Sequence, residues 1–306
     1  MKEIPNHKIS SVLSLGNFDG VHRGHQELFA RQKKMAQSLG LKTQALVLFP
    51  HPSVVLGFQG PATLMKIEDR VEKIRSLGID HVFTLPFTTA LSQVSAQDFV
   101  ALLRDQMGMK ALCIGETTHL GRKREGSPSK LKQLCKAMDI SVEIVKAKQV
   151  DKVACSSTLI RALLARGEIQ TVNALLGYDY FLRAKVVKGE GVGKEIGFPT
   201  ANLGEIDTML PAQGVYASYV QLEGKALPAA TNVGVRPTLG DSSELTVEVH
   251  ILDQTFDLYG KNLTLHWKKR IRKEKKYSKL ESLKKQISRD LREVKELFDA
   301  KNKVKP

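Results

Sequence analysis

His22 and His25 stand three apart in Leu15-Gly16-Asn17-Phe18-Asp19-Gly20-Val21-His22-Arg23-Gly24-His25, a stretch that also holds three glycines. Glycines let a backbone approach an anion, a helix that follows turns free N–H groups toward the loop, and imidazoles add further donors. This is equipment for phosphate. A lone histidine is more often a satisfied core or surface residue, but a pair at this spacing inside a glycine-rich turn weighs toward a nucleotide site. A second cluster, Ala154-Cys155-Ser156-Ser157-Thr158-Leu159-Ile160-Arg161, places a guanidinium one turn after three hydroxyls. An ordinary N-cap accounts for one hydroxyl; Ser156, Ser157 and Thr158 followed by Arg161 read as a phosphate clamp. A third runs from Lys188 to Asn202, with four glycines between 189 and 197 and then Phe198-Pro199-Thr200-Ala201-Asn202. Glycine content alone would suggest a linker, yet Phe-Pro-Thr-Ala-Asn is not linker chemistry, and P-loop spacing is absent. The glycines can form a flap over phosphates, while Thr200 and Asn202 offer neutral oxygens to Mg²⁺.

These residues need elements to hold them. An apolar run at 11–15 reads as a buried strand, and residues 26–39 keep a helical spacing that Gly40 ends. Strands are expected at 43–49, 81–85, 111–114 and 141–145, with helices at 67–77, 95–107 and 129–138; Ser95 and Asp98 form a capping-box-like start. Pro50-His51-Pro52 must leave its strand as a loop, because proline cannot continue a central ladder. Such alternation argues a parallel sheet covered on both faces. Ligands bind beyond the carboxyl ends of such strands, where the His22/His25 loop, the His51 loop and the loop after Ile114 all emerge. The 154–161 cluster opens a helix that runs to Arg166 and stops at Gly167, and a short helix at 169–176 follows. Short strands with turn residues then take over, which places a domain boundary near 182. Residues 232–238 read as a loop. Residues 246–252 alternate as a strand with Glu248 and His250 on one face, where a carboxylate is ordinarily solvated. The final helix is expected to start near Ser278 with a Ser278/Glu281 capping box and an apolar face of Leu280, Leu283, Ile287, Leu291 and Val294.

The totals set limits. A length of 306 residues suits two domains. No run approaches the ~20 apolar residues of a membrane span, and the first residues lack the apolar core of a signal peptide. The three cysteines, Cys113, Cys135 and Cys155, are scattered, so a reducing cytoplasm is expected, with neither a disulfide framework nor a metal spacing. The net charge of +15 admits nucleic-acid binding, a surface that attracts anionic nucleotides, or simply solvated helix faces.

The histidine stretch resembles the His-x-Gly-His signature of nucleotidylyltransferases, and in its longer form that of the bacterial bifunctional riboflavin kinase/FAD synthetases. The SSTxIR segment, the Gly-rich segment ending in Phe-Pro-Thr-Ala-Asn, the Asn232-Val233-Gly234-Val235-Arg236-Pro237-Thr238 segment and Arg272-Lys273-Glu274-Lys275-Lys276-Tyr277 match the same family in order, the last with Tyr in place of Phe. The resemblance spans about residues 12 to 290. It implies an α/β nucleotidylyltransferase domain with a Rossmann-like parallel sheet over 1–182. Over 183–306 it implies an all-β riboflavin kinase domain, a Greek-key-type six-stranded barrel with a C-terminal helix. It further implies phosphorylation of riboflavin to FMN, then adenylylation of FMN to FAD, with ATP and Mg²⁺ consumed and ADP and pyrophosphate released. No permanently bound cofactor, membrane or nucleic-acid partner is expected.

By the same resemblance, His22 and His25 stabilise charge on the α-phosphate, Arg161 holds the triphosphate, and Glu248 is the base for the riboflavin hydroxyl. Gly16, Asn17, Phe18, Asp19, Gly24, His51, Ser156, Ser157 and Thr158 would bind nucleotide in the first domain. Gly191, Gly193, Lys194, Gly197, Pro199, Thr200 and Asn202 would do so in the second, Thr200 and Asn202 also meeting the metal. Arg272, Glu274 and Tyr277 would contact flavin. One stretch departs from the pattern: where relatives carry Asp or Asn and then Phe-x-Phe-Gly, this chain has Thr117-Thr118-His119-Leu120-Gly121. Those first four residues are the expected flavin contacts of the first domain, without the aromatic rings. The alternatives are therefore an enzyme making FMN only, a nucleotidyltransferase acting on another phosphate ester, and a basic RNA-binding or regulatory protein on the same fold.

Overall fold

A computed structural model describes residues 4–189, 191–237, 243–254 and 256–302. Glu190 and Thr238, both within the motifs above, lie outside the described residues. The chain divides into two compact units, Met1–Ser157 and Thr158–Pro306.

The first unit runs β1 (Ser11–Gly16), α1 (Arg23–Leu39), β2 (Lys42–Phe49), α2 (Pro52–Val55), α3 (Ile67–Ser76), β3 (His81–Pro86), α4 (Thr89–Ser92), α5 (Ala96–Met107), β4 (Met109–Gly115), a 3₁₀ turn (Arg122–Arg124), α6 (Pro128–Lys136), β5 (Ser141–Val145), β6 (Gln149–Val150) and β7 (Val153–Ala154). Among the described residues, five of these strands form one parallel sheet in the order β3-β2-β1-β4-β5. The uninterrupted apolar runs suit this sheet, which is covered on both faces; Val12, Leu13, Ala45, Leu46 and Leu112 are fully buried. β1 is central. The chain passes from it to β2 on one side, while β4 occupies the other, so the carboxyl end of β1 is the switch point of the sheet.

Local signals largely predict the boundaries. Gly40 closes α1 at φ 64°, and Ser95 caps α5, its Oγ accepting from the Asp98 N–H at 3.1 Å and donating to the Asp98 carboxylate at 2.6 Å. α1 starts three residues before the expected position because His22 is its N-cap, with Nδ1 accepting the Gly24 N–H at 3.2 Å. The expected loop after β2 contains one helical turn, α2, with His51 as N-cap and Pro52 in the first turn.

α7 (Ser157–Arg166) opens where the two units divide. The second unit continues through α8 (Ile169–Leu176), β8 (Phe181–Val187), α9 (Val192–Glu195), β9 (Ala201–Gly204), β10 (Gly214–Leu222), β11 (Lys225–Pro237), β12 (Ser243–Ile251), β13 (Asn262–Lys273) and α10 (Leu280–Asn302). Among the described residues, β8 to β13 close into a six-stranded antiparallel barrel in the order β10-β11-β12-β9-β8-β13, with β13 returning to β10. Trp267 and Tyr216 fill its interior, ring centroids 5.2 Å apart and edge-on. α8 is tied to the barrel wall by Asn173, whose Nδ2 donates to the Trp267 carbonyl at 2.8 Å and whose Oδ1 accepts the Tyr180 N–H at 2.8 Å.

Two expectations change here. Residues 232–237 are strand rather than loop, because pairing with β10 and β12 overrides the turn-like composition of Asn-Val-Gly-Val-Arg-Pro. α10 begins at Leu280, so Ser278 stands one residue too early to cap it, and Leu280 is 52 % exposed. Val294 carries the helix into the core beside Ala217 and Leu291.

Candidate active sites

The first site forms in the turn between β1 and α1. Phe18 and Val21 take positive φ (50° and 36°), a region that is uncommon for non-glycine residues and an outlier for a β-branched one. A buried network holds the turn in that shape. The Asp19 carboxylate accepts N–H groups of Leu64 at 3.0 Å and Met65 at 3.2 Å, and pairs with Arg70 Nη2 at 2.8 Å. Arg70 Nη1 donates to the Asn17 carbonyl at 2.7 Å, and Gln26 Nε2 to the Val21 carbonyl at 2.9 Å. The His22 and His25 rings stack with centroids 3.7 Å apart, and Phe18 meets His25 edge-on at 5.2 Å. Ser157 Oγ donates to the Asp19 carbonyl at 2.8 Å, which brings the start of the hydroxyl cluster to the histidine turn.

Loss of solvent pushes the His22 imidazolium down to about 4, against a smaller opposing pull from Asp19. Desolvation, then the neighbouring His22 and Arg70, hold His25 well below the ordinary histidine range. Both rings are therefore neutral at pH 7. Because His22 Nδ1 accepts the Gly24 N–H, its proton sits on Nε2, where it can be donated outward. Among the described residues, the buried Asn17 Oδ1 and His25 Nδ1 have no hydrogen-bond partner, and unsatisfied buried groups of this kind call for an explanation such as a catalytic role or a bound water or ion. Neutral imidazole donors and a helix N-terminus together suit a polyphosphate.

The remaining expected residues of the first unit are arranged less uniformly. Gly16 ends β1 and Gly24 lies in the first turn of α1. His51 sits at the end of β2, its Nδ1 2.7 Å from Ser53 Oγ. After β4, Thr117 and His119 are exposed, and the Thr117 carbonyl lies 3.0 Å from His119 Nδ1. Thr118 is half-buried beside them. Leu120 instead turns inward, 7 % exposed, into the core with Phe99 and Leu131, and bridges to Gly126. Ser156 is half-buried, Thr158 is exposed on α7, and Arg161 is half-buried one turn after Ser157 on the same helix.

The second site lies at one end of the barrel. Asn202 on β9, Glu248 on β12 and Asn232 on β11 stand side by side across three strands. They line a cavity of about 460 Å³ together with Arg272, Glu274 and Tyr277. Thr200 and Asn202 also line an adjoining cavity of about 500 Å³ with Lys188, Lys194, Phe256 and Tyr259. The glycine-rich segment folds over this junction and contains the single turn α9. A Cβ on Gly193 would lie 2.6 Å from the Phe198 carbonyl and 3.0 Å from Thr200 Oγ1, and one on Gly189 would collide with the Asn202 amide. Those close approaches require glycine. Gly191 and Gly197 take positive φ, 81° and 91°. His250 Nδ1 lies 2.7 Å from the Pro199 carbonyl, which seats the Pro199-Thr200 turn beside Glu248. Thr200 and Asn202 provide two neutral oxygens, short of the six that Mg²⁺ takes, which fits a cation delivered with nucleotide phosphates.

Sequence reasoning missed Arg70, Asn232, Lys188, Phe256, Tyr259 and the α10 residue Asp290. Asn232 stood inside a noted motif, so its position could have been read as functional. No local signal links Arg70 to Asp19, 51 residues earlier.

Comparison with known proteins follows this division. The FAD synthetase family model matches residues 4–159 and the riboflavin kinase model residues 176–298. A Listeria monocytogenes bifunctional riboflavin kinase/FMN adenylyltransferase is 35 % identical over 95 % of this chain and 93 % of its own length. The Escherichia coli K12 protein of the same name is 33 % identical over 94 % and 92 %. A solved Streptococcus pneumoniae structure, named a macrolide-efflux protein, superposes with a TM-score of 0.87 at 30 % identity, over 95 % of this chain and 98 % of that one. Among the described residues of this chain, no helix is long and apolar enough to cross a membrane.

Proposed function

We infer the roles of individual residues from the family to which this chain belongs, the bifunctional riboflavin kinase/FMN adenylyltransferases. It is an enzyme of flavin-cofactor synthesis that phosphorylates riboflavin to FMN and adenylylates FMN to FAD with ATP. Adenylyl transfer is assigned to residues 1–182 and the kinase to residues 183–306.

In adenylyl transfer a phosphate oxygen of FMN attacks the α-phosphorus of ATP, the new P–O bond forms, and pyrophosphate leaves. His22 and His25 donate neutral N–H groups to the α-phosphate as charge gathers there, with the N-terminus of α1 adding backbone donors. Gly16, Asn17, Phe18, Asp19 and Gly24 shape the nucleotide pocket, His51 borders it, and Ser156, Ser157, Thr158 and Arg161 hold the triphosphate. FMN is placed by Thr117, Thr118 and His119, with Leu120 anchoring their turn from the core.

In the kinase the riboflavin 5′-hydroxyl attacks the γ-phosphorus, Glu248 takes its proton, and ADP leaves. A primary alcohol has a very high pKa, so a positioned carboxylate assists its attack. The cavity beside Glu248 takes the flavin, with Arg272, Glu274 and Tyr277 on its wall. The adjoining one takes the nucleotide, its phosphates beneath Gly191, Gly193, Lys194 and Gly197. Thr200 and Asn202 would hold Mg²⁺, which neutralises phosphate charge when bound.

The observation that carries the kinase assignment is the row Asn202–Glu248–Asn232 at the junction of two adjoining cavities. The test is to incubate the protein with riboflavin, ATP and Mg²⁺ and to separate the flavins. Glu248→Gln should lower FMN formation by about 10²-fold, the size of a general-base effect, while FAD formation from supplied FMN stays unchanged. A near-normal kinase rate in that variant would return Glu248 to a structural role.

A further inference from the structure

The end of β13 and its connection to α10 carry three cavity residues, Arg272 on the strand and Glu274 and Tyr277 in the connection, and one buried carboxylate on α10 fastens the strand end to the helix. Asp290, on α10, is only 4 % exposed. Arg272 Nε donates to Asp290 Oδ2 at 2.9 Å and Oδ1 at 3.1 Å, and Nη2 lies 2.9 Å from Oδ2. Gln286, one helical turn earlier, donates to Oδ1 at 2.9 Å. The Arg272 Nη1 donates to the Lys273 carbonyl at 3.2 Å, and the guanidinium carbon stands 5.9 Å from the centre of the Tyr277 ring. An arginine has five N–H donors, so this fixed guanidinium keeps donors on its terminal nitrogens for a ligand in the cavity.

A buried ion pair is weak evidence for stability, since apolar residues of similar volume often serve as well. Here the pair's geometry has another use. We propose that Asp290, supported by Gln286, is a positioning residue for riboflavin: it holds the Arg272 guanidinium against the cavity so that its remaining donors meet the carbonyl edge of the flavin ring. Asp290 also lines the cavity, but its carboxylate oxygens are engaged by Arg272 and Gln286, so it acts on riboflavin through Arg272 and stands apart from the reacting atoms. The proposal rests on the assignment of this cavity to riboflavin.

The test measures riboflavin binding by quenching of its fluorescence, and KM and kcat for FMN formation, in the full chain. Asp290→Asn should raise the riboflavin Kd and KM by about tenfold, the scale of one charge-assisted hydrogen bond, with kcat changed much less because Glu248 and the phosphate side are untouched. Arg272→Gln should raise KM similarly, and the double variant should be little worse than either, since both remove one interaction. Gln286→Ala should give a smaller rise in the same direction. A lowered melting temperature with riboflavin KM unchanged overturns the proposal, and so do fully additive effects of Asp290→Asn and Arg272→Gln. Should Asp290→Asn fail to fold, Gln286→Ala decides: an unchanged KM refutes the role and a raised one supports it. A wild-type chain that forms no FMN overturns the kinase assignment and the proposal with it, a result distinct from normal FMN formation with an indifferent Asp290.

Discussion

Replacing Arg70 with methionine removes the support beneath the histidine turn, including its hydrogen bonds to Asn17 and Asp19 of the proposed nucleotide pocket, while leaving His22 and His25 themselves in place. Arg70 is 4 % exposed and gives hydrogen bonds to the Asp19 carboxylate at 2.8 Å, the Asn17 carbonyl at 2.7 Å and the Met65 carbonyl at 2.9 Å. Methionine leaves Asp19 charged at a site that is 6 % exposed. Breaking a buried pair from one side costs about 3–5 kcal/mol. The turn it supports holds Phe18 and Val21 at positive φ, each a strain of ~1–3 kcal/mol. Strain and support are of similar size, so the turn relaxes when the support is lost. A displacement of a catalytic group by about 1 Å can cost about 10²-fold in rate, and that is the expected fall in FAD formation from FMN and ATP. Melting of this unit should drop by about 6–20 °C, at 2–4 °C per kcal/mol for domains of this size. FMN formation from riboflavin, measured on the same preparation, should remain and so report on protein quality. A variant that makes FAD within a few-fold of the wild-type rate would refute the claim that the buried pair shapes the site.

Burial holds His22 at about 4 against an ordinary 6.5, so the unfolded chain takes up a proton between those values that the folded chain refuses. Stability present above pH 6.5 is therefore lost as pH falls toward 4, by up to ~1.4 kcal/mol per pH unit for one group; His22→Asn should make the fall in melting temperature across that window shallower, and His25, also held low by burial, accounts for the slope that remains. Thr118→Phe should lower the KM for FMN in adenylylation, since an added aromatic contact contributes ~0.5–1.5 kcal/mol; Leu120→Phe, which overpacks the core, should destabilise by ~1–3 kcal/mol. A steady KM for FMN in Thr118→Phe would remove Thr118 from the flavin site. A fragment starting at Thr158 should keep kinase activity, whereas one starting at Arg183 should melt lower, having lost the Asn173 bond to Trp267 and the Tyr180 hydroxyl bond to the Met209 carbonyl at 2.6 Å. Equal melting of the two fragments would show that residues 158–182 do not brace the barrel.

What could be read from the sequence was local. The strand at 11–15, the Gly40 stop and the Ser95 cap each follow from a periodicity or a single residue's conformational preference, and each appears in the structure. The histidine turn was legible for the same reason, since its donors, glycines and helix are contiguous. What was not legible depends on distant partners. Residues 232–237 carry Gly and Pro and read as a turn, but two neighbouring strands make them a ladder. Leu120 stands at an aromatic position of the motif and so reads as a flavin contact that lacks its ring; only the packing of Phe99 and Leu131 shows which way it faces. Closure of the barrel through β13 and β10 joins residues about 50 positions apart and leaves no mark in any short window.

The two sites differ in acid–base equipment for a reason found in their nucleophiles. The phosphate of FMN is already anionic near neutral pH, so its attack on an α-phosphorus requires no base. What it requires is relief of charge on a crowded phosphate, and in the proposed mechanism two desolvated, neutral imidazoles supply N–H donors for that purpose while remaining too weakly basic to compete for protons at pH 7. Burial that would ruin a general base therefore suits the histidine turn, and it explains why the turn tolerates both strain and the removal of its rings from water. Riboflavin instead presents an alcohol, which must lose a proton as it attacks. For that step the proposed base is Glu248, a half-buried carboxylate on a strand, flanked by two carboxamides. On the proposed assignment, histidines at the first site and a glutamate at the second follow from the protonation state of the attacking oxygen, although both reactions draw on the same nucleotide.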